Sequence, residues 1–106
     1  MPADLKIVIG QHNLSSNEGE EIAIDQIIIH EDYDSFELDN DIALLHLVQI
    51  PSNPVPIPLV KTGNDRPGKL ATVSGWGLLS ENDLLPPDQL QQVTVPIVSP
   101  ATCKYF

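Results

Sequence analysis

Positive charge, cysteine and long apolar runs are all scarce in this sequence. Five Lys and Arg stand against fifteen Asp and Glu among 106 residues, so the formal net charge is −10. This charge repels phosphate backbones, and we expect no nucleic-acid partner. No apolar run approaches the roughly 18 residues of a membrane span, and the N-terminus lacks the pattern of a secretory leader, so we expect no membrane partner. Cys103 is the single cysteine, which leaves either a buried thiol or a bridge to a cysteine outside these residues.

What is present is typical of an ordered, β-rich protein, with 42% hydrophobic residues. Turn residues separate short alternating or β-branched runs, which predict strands over residues 5–9, 21–29, 42–47, 69–74 and 90–98. The run at 42–47 is apolar at five of its six positions, which predicts a strand buried on both faces. The pattern favours an all-β barrel or sandwich.

Two proline features mark the organisation of the chain. Prolines at 51, 54, 56 and 58 lack backbone donors, so this stretch is predicted to be an extended connector. Ser99 followed by Pro100 is typical of a helix N-cap with proline at the first helical position. A short helix is therefore predicted to begin near the end of the sequence.

Asp41 stands directly in front of the apolar run Ile42-Ala43-Leu44-Leu45. A carboxylate beside a buried strand costs several kcal/mol unless hydrogen-bond donors meet it. One interpretation is that Asp41 or Asn40 caps a local turn. The other is that Asp41 is held for a partner elsewhere in the protein.

Three ordered motifs resemble the trypsin and chymotrypsin family of serine proteases. They are Asn40-Asp41-Ile42-Ala43-Leu44-Leu45, Val73-Ser74-Gly75-Trp76-Gly77, and the stretch from Leu90 through Val95-Pro96-Ile97-Val98-Ser99 to Cys103. The resemblance extends from about Leu5 to Cys103. It implies the middle portion of a double antiparallel β-barrel. Residues 1–60 would be the latter part of the N-terminal barrel with its connector, and residues 61–106 the first part of the C-terminal barrel with the start of a short helix.

By this resemblance Asp41 is the aspartate of a Ser-His-Asp triad that hydrolyses peptide bonds. The family's histidine and serine motifs do not occur in the sequence, and His12, His30 and His46 lack the context of a catalytic base. The chain is therefore expected to be inactive alone, with peptide substrates and protein inhibitors as partners of the full-length enzyme. The alternative is a noncatalytic homologue that acts as a binding or regulatory module.

The resemblance implies a secreted protein in which Cys103 pairs with a later cysteine, and it implies no required cofactor. A structural Ca²⁺ is the one candidate ion. Its donors would be Glu18, Glu21 and the carbonyl groups of Asn13 and Ser16. Gln11 stands where calcium-binding members commonly have a glutamate, so a solvated acidic loop is the competing interpretation. Trp76, between two glycines, is expected to pack structurally.

Overall fold

A computed structural model describes residues 4–53 and 55–104, and its regular structure is almost entirely β. The elements are β1 Lys6–Ile9, β2 Glu20–Ile29, β3 Ala43–Leu47, β4 Leu70–Gly75, β5 Gln91–Pro96 and the one-turn helix α1 Pro100–Cys103. The all-β prediction and the five strand positions are confirmed. Within the described residues, no helix is long and apolar enough to cross a membrane.

The chain divides into two compact units. Unit 1 comprises Met1–Gln11 and Asn17–Pro54, and unit 2 comprises His12–Ser16 and Val55–Phe106. The boundary between residues 54 and 55 falls within the proline-rich stretch. This stretch contains neither helix nor strand where the structure describes it. Pro54 itself lies outside the described residues. The assignment of residues 1–60 and 61–106 to two barrels stays a prediction.

Unit 1 contains a three-stranded antiparallel sheet in the order β1-β2-β3. The first part of β2 pairs with β1, so that Ile9 lies opposite Glu20, and the second part pairs with β3, so that Ile29 lies opposite Ala43. A β-bulge interrupts the second pairing between residues 24 and 26. Ile22 and Ile24, which are 1% and 2% exposed, are the buried apolar residues of the described chain.

β3 forms, but the prediction that it is buried on both faces is wrong for this chain. Leu44 is 65% exposed, and Ile42, just before the strand, is 62% exposed. The strand has a hydrogen-bonded neighbour in β2, but no second layer of described residues covers its apolar side chains. An apolar run predicts a preference for burial, whereas burial itself requires packing partners.

Unit 2 contains the antiparallel pair β4-β5, in register from Leu70 opposite Pro96 to Gly75 opposite Gln91. The predicted helix start is confirmed. The Ser99 hydroxyl accepts a hydrogen bond from the Thr102 amide at 3.1 Å, and proline occupies the first turn of α1. Ser99 thereby satisfies one of the unpaired donors at the helix start.

The protein exposes 9438 Å² of surface. Two separate compact domains sharing 106 residues equally would together expose only about 7,000 Å². The excess includes large apolar side chains on β3, in the connector and in the loop before β5, among them Leu44, Ile57 and Leu84. Apolar surface on this scale favours association.

We expect the 106-residue chain to self-associate at micromolar concentration, because association would cover its exposed apolar strands. Leu44→Lys should shift the chain toward monomer in sedimentation velocity experiments. Gln49→Lys adds the same charge at an exposed polar position outside the strands and serves as the matched control. A monodisperse wild-type monomer with a cooperative unfolding transition would contradict the expectation.

Gly19 enters β2 at a φ of +98°, and a Cβ there would lie 2.7 Å from Val8 Cγ1 and 2.9 Å from the Ile9 carbonyl oxygen. Gly10 has a similar φ of +85°, but a Cβ at that position would have no neighbouring atom within 4 Å. Both alanine variants bear backbone strain, but only Gly19→Ala adds a steric clash. Gly19→Ala should therefore weaken the pairing of β1 with the first part of β2 by about 1–3 kcal/mol more than Gly10→Ala. Hydrogen exchange of residues 6–9 and 20–23 measures this local stability, and equal exchange rates in the two variants would refute the prediction.

Candidate functional site

Asp41 lies at the end of a tightly hydrogen-bonded loop that joins β2 to β3. The ladder between the strands continues into the loop, because the His30 amide donates to the Ile42 carbonyl at 3.1 Å. Farther out, Asp34 and Asp39 exchange two backbone hydrogen bonds, at 3.0 and 3.2 Å. The strand pairing thus fixes where the loop leaves and re-enters the sheet.

The Asp34 side chain shapes the tip of this loop. Its Oδ1 accepts from the Phe36 amide at 2.8 Å and from the Glu37 amide at 3.3 Å. An aspartate that accepts from amides two and three residues ahead holds a turn without any cation. This acidic loop is therefore internally bonded as well as exposed to solvent.

Asn40 fixes the backbone immediately before Asp41. Its φ is +52°, a left-handed conformation that asparagine tolerates better than most residues. Its side-chain amide donates to the Asp32 carbonyl at 3.1 Å, and its own carbonyl accepts from the Ile42 amide at 2.8 Å. These contacts show that Asn40 forms the local turn that one of the two interpretations predicts.

The Asp41 carboxylate is exposed in this chain. The Nδ1 atoms of two histidines are engaged elsewhere. The His30 Nδ1 accepts from the Asp32 amide at 3.0 Å, and the His46 Nδ1 lies 2.6 Å from Asp25 Oδ1. A triad aspartate needs an imidazole Nδ1–H, so these contacts support the interpretation that His30 and His46 are structural.

The His46–Asp25 pair was not foreseen from the sequence. Asp25 lies at the bulge of β2, and His46 is opposite Gln26 on β3. The two side chains meet across the strands, both largely exposed. Only a known register could have indicated this contact, since the bulge displaces the pairing by one residue.

An apolar cavity of about 400 Å³ lies beside the start of β3 in unit 1. It is lined mainly by Ile28, Ile29, Ile42 and Leu44. Asp41 immediately precedes this lining in the sequence. A layer packed into the cavity would bury apolar side chains next to Asp41.

The candidate calcium donors fall in both units. Asn13 and Ser16 belong to unit 2, whereas Glu18 and Glu21 belong to unit 1. In unit 2 the Asn13 carbonyl accepts from the Ser16 amide at 3.1 Å and from the Ser16 hydroxyl at 2.8 Å. In unit 1 the Glu21 carboxylate pairs with Lys6 Nζ at 3.0 Å.

Two of the candidate calcium donors already have partners in this structure. Two hydrogen bonds use both lone pairs of the Asn13 carbonyl oxygen, and Glu21 already has a cationic neighbour. Over residues 4–53 and 55–104, no three His, Cys, Asp or Glu side chains are grouped so as to hold a metal ion.

The segment His12–Ser16 is held within unit 2 by backbone pairing that the sequence did not indicate. Asn13 and Gln89 form an antiparallel bridge. Two backbone hydrogen bonds flank it, from Leu14 to the Asp88 carbonyl and from Leu90 to the His12 carbonyl, each at 2.8 Å. This pairing places a segment from early in the sequence beside residues 88–90, which immediately precede β5.

Side chains reinforce the same pairing. Asp88 Oδ1 accepts from the Ser15 amide at 2.7 Å, and Asp88 Oδ2 accepts from the Ser15 hydroxyl at 2.9 Å; we call this pair of bonds the Ser15–Asp88 clamp. The half-buried Trp76 donates through Nε1 to the His12 carbonyl at 3.2 Å. Trp76 thus has the structural role that its glycine neighbours predict.

Comparison with known proteins defines the class to which these strands and motifs belong. The family model described as Trypsin matches residues 2–105. The solved structure entitled "Structure of GrC" superposes with a TM-score of 0.85 at 26% identity, over 94% of this chain and 46% of the other. The chain belongs to the trypsin family of serine proteases, which confirms the resemblance seen in its three motifs.

Individual relatives agree with this assignment. Trypsin-1 of Astacus astacus is 44% identical over 108 residues, covering 97% of this chain and 45% of that protein. Trypsin of Squalus acanthias is 35% identical over 104 residues, covering 94% of this chain and 45% of that protein. The chain therefore spans about half the length of the curated relatives that it matches.

The backbone before Asp41 is expected to depend on Asn40. Asn40→Gly keeps access to a positive φ but loses the bond to Asp32, which should cost about 1 kcal/mol of loop stability. Asn40→Ala loses the bond and also meets left-handed strain, which should cost about 1–2 kcal/mol more. Hydrogen exchange of residues 32–42 measures both effects.

Leu38→Gly is the matched control, because Leu38 has a similar φ of +56°. Glycine relieves strain there, so exchange in the same loop should not accelerate. Equal exchange rates for Asn40→Gly and Asn40→Ala would show that the left-handed conformation is unimportant.

Proposed function

We propose that this chain is part of a serine endopeptidase and that Asp41 is the acid of its Ser-His-Asp triad. The observation that carries the proposal is the Asn40-Asp41-Ile42-Ala43-Leu44-Leu45 motif in a chain that the Trypsin family model matches over residues 2–105. The position of Asp41 supports it, because a bonded loop and a paired strand fix the backbone on both sides.

In the proposed mechanism Asp41 accepts a hydrogen bond from the Nδ1–H of a histidine. This bond selects the tautomer whose Nε2 removes the proton from the serine hydroxyl, and it stabilises the imidazolium that results. The serine oxygen then attacks the peptide carbonyl, and the C–N bond breaks as the imidazolium gives its proton to the leaving amine. Water, deprotonated by the same histidine, then hydrolyses the acyl-enzyme and regenerates the serine hydroxyl. Asp41 remains ionised throughout and acts by orientation and charge.

We propose that the histidine, the serine and the oxyanion-hole donors come from polypeptide other than residues 1–106. His30 and His46 have their Nδ1 atoms engaged by Asp32 and Asp25, and the sequence contains no Gly-Asp-Ser-Gly-Gly motif. The 106-residue chain alone would then be inactive. Its substrates in the complete enzyme would be proteins or peptides, with protein inhibitors as further partners.

Secretion forms part of the same proposal. Cys103 is an exposed thiol on α1, available for a bridge to a cysteine outside these residues. Such a bridge would suit an oxidising, extracellular compartment. No cofactor is required for triad chemistry.

Replacing Asp41 in the complete protease domain tests the role of this residue. Asp41→Asn should lower kcat by about 10⁴-fold, which is the loss known for the aspartate-to-asparagine change in this class of triad. The cause is loss of the correct histidine tautomer. Asp39→Asn removes a neighbouring loop carboxylate and is the control, with kcat expected to change far less. Near-normal kcat in Asp41→Asn would refute the assignment.

Labelling by a serine-reactive phosphonate distinguishes an enzyme from a noncatalytic homologue. The complete domain should be labelled, while the 106-residue chain should not. Absence of labelling in a correctly folded complete domain would favour the binding or regulatory module.

A further inference from the structure

We propose that Asp88 is the residue that orders the segment His12–Ser16, and that this segment needs no calcium ion. The Ser15–Asp88 clamp supplies a full negative charge and two acceptor oxygens to two donors of a single residue. Bonds from neutral donors to an ionised carboxylate are stronger than bonds between neutral groups. The clamp therefore performs within the protein the ordering that a bound cation would otherwise provide.

The geometry of the clamp distinguishes it from an ordinary turn bond. Each oxygen of Asp88 meets a different Ser15 donor, at 2.7 and 2.9 Å, across 73 positions of sequence. The Asp88 backbone carbonyl accepts from Leu14 in addition. Asp88 thus binds adjacent residues of the segment through both its side chain and its backbone.

The Asn13 carbonyl, one of the two candidate calcium donors in this segment, already accepts two hydrogen bonds. Calcium binding through the Asn13 carbonyl would compete with both hydrogen bonds from Ser16. Calcium requires six to eight oxygen ligands. Among the described residues, no three His, Cys, Asp or Glu side chains are grouped so that they could hold a metal ion.

Trp76 gives the segment a spectroscopic reporter. It is the only tryptophan of the chain, and its indole N–H binds the His12 carbonyl at 3.2 Å. Release of the segment would expose the indole to water. Its fluorescence emission would then shift to longer wavelength.

The test is hydrogen exchange of residues 12–16, together with Trp76 emission, in the 106-residue chain. Asp88→Ala should accelerate exchange by about tenfold or more, because it removes both charge-assisted bonds. Ser15→Ala, which loses only the hydroxyl bond, should give a smaller acceleration. Ser15→Thr keeps both the amide and the hydroxyl donor, so its exchange and emission should match those of the wild-type chain. Asp83→Asn, at an exposed acid of the same unit, is the charge-matched control and should change neither.

The calcium arm compares excess chelator with about 1 mM Ca²⁺, which lies within the affinity range of extracellular calcium modules. We expect identical exchange and emission in the two conditions. Protection that appears only with Ca²⁺ would overturn the proposal, as would wild-type exchange in Asp88→Ala. If Asp88→Ala does not fold, the test rests on the two Ser15 variants. Faster exchange of residues 12–16 in Ser15→Ala than in Ser15→Thr supports the proposal, and equal exchange in the two variants would overturn it.

Discussion

The pairing of β2 with two neighbours is the interaction on which the rest of unit 1 depends. Its ten residues first pair with β1 and then with β3, and the two buried isoleucines, Ile22 and Ile24, lie where one pairing gives way to the other. Full burial of one such side chain contributes about 1.5–3 kcal/mol. The ladder also continues to His30 and Ile42, so the position of Asp41 follows from the register of β2.

The excess of acid over base explains how the loops are held. With fifteen carboxylates and five Lys and Arg, ion pairing cannot satisfy most of the acids. Backbone amides take the place of the missing cations: Asp34 accepts from the tip of its loop, Asp39 from Asn40, Glu20 from Ser52 and Asp88 from Ser15. These bonds fix the backbone of the loops directly, whereas an exposed ion pair between two side chains, such as Lys6–Glu21, contributes at most about 1 kcal/mol. The negative charge therefore has a structural use besides solubility.

The sequence predicted those features that depend on local chemistry. β-branched runs indicated the strands, and Ser99-Pro100 indicated the start of α1, because both patterns are decided by residues within a few positions of each other. The Ser15–Asp88 clamp and the His46–Asp25 pair could not be predicted. Each joins residues far apart in sequence, and the second also depends on a bulge that shifts the register. Burial of β3 was predicted wrongly, because apolarity shows what a side chain prefers and not what covers it.

The exposed apolar side chains of β3 and the proposed role of Asp41 both require a further layer of polypeptide over this part of unit 1. At a separation of 4 Å, two unit charges attract with about 1 kcal/mol in bulk water and about 4 kcal/mol at the effective dielectric of a protein surface. An aspartate open to solvent would therefore stabilise an imidazolium only weakly. Ile42 and Leu44, at 62% and 65% exposed, mark the apolar surface beside Asp41 that a further layer of polypeptide would cover. Such a layer would both complete the packing of β3 and remove water from Asp41, so that folding and activation of the triad would require the same contact.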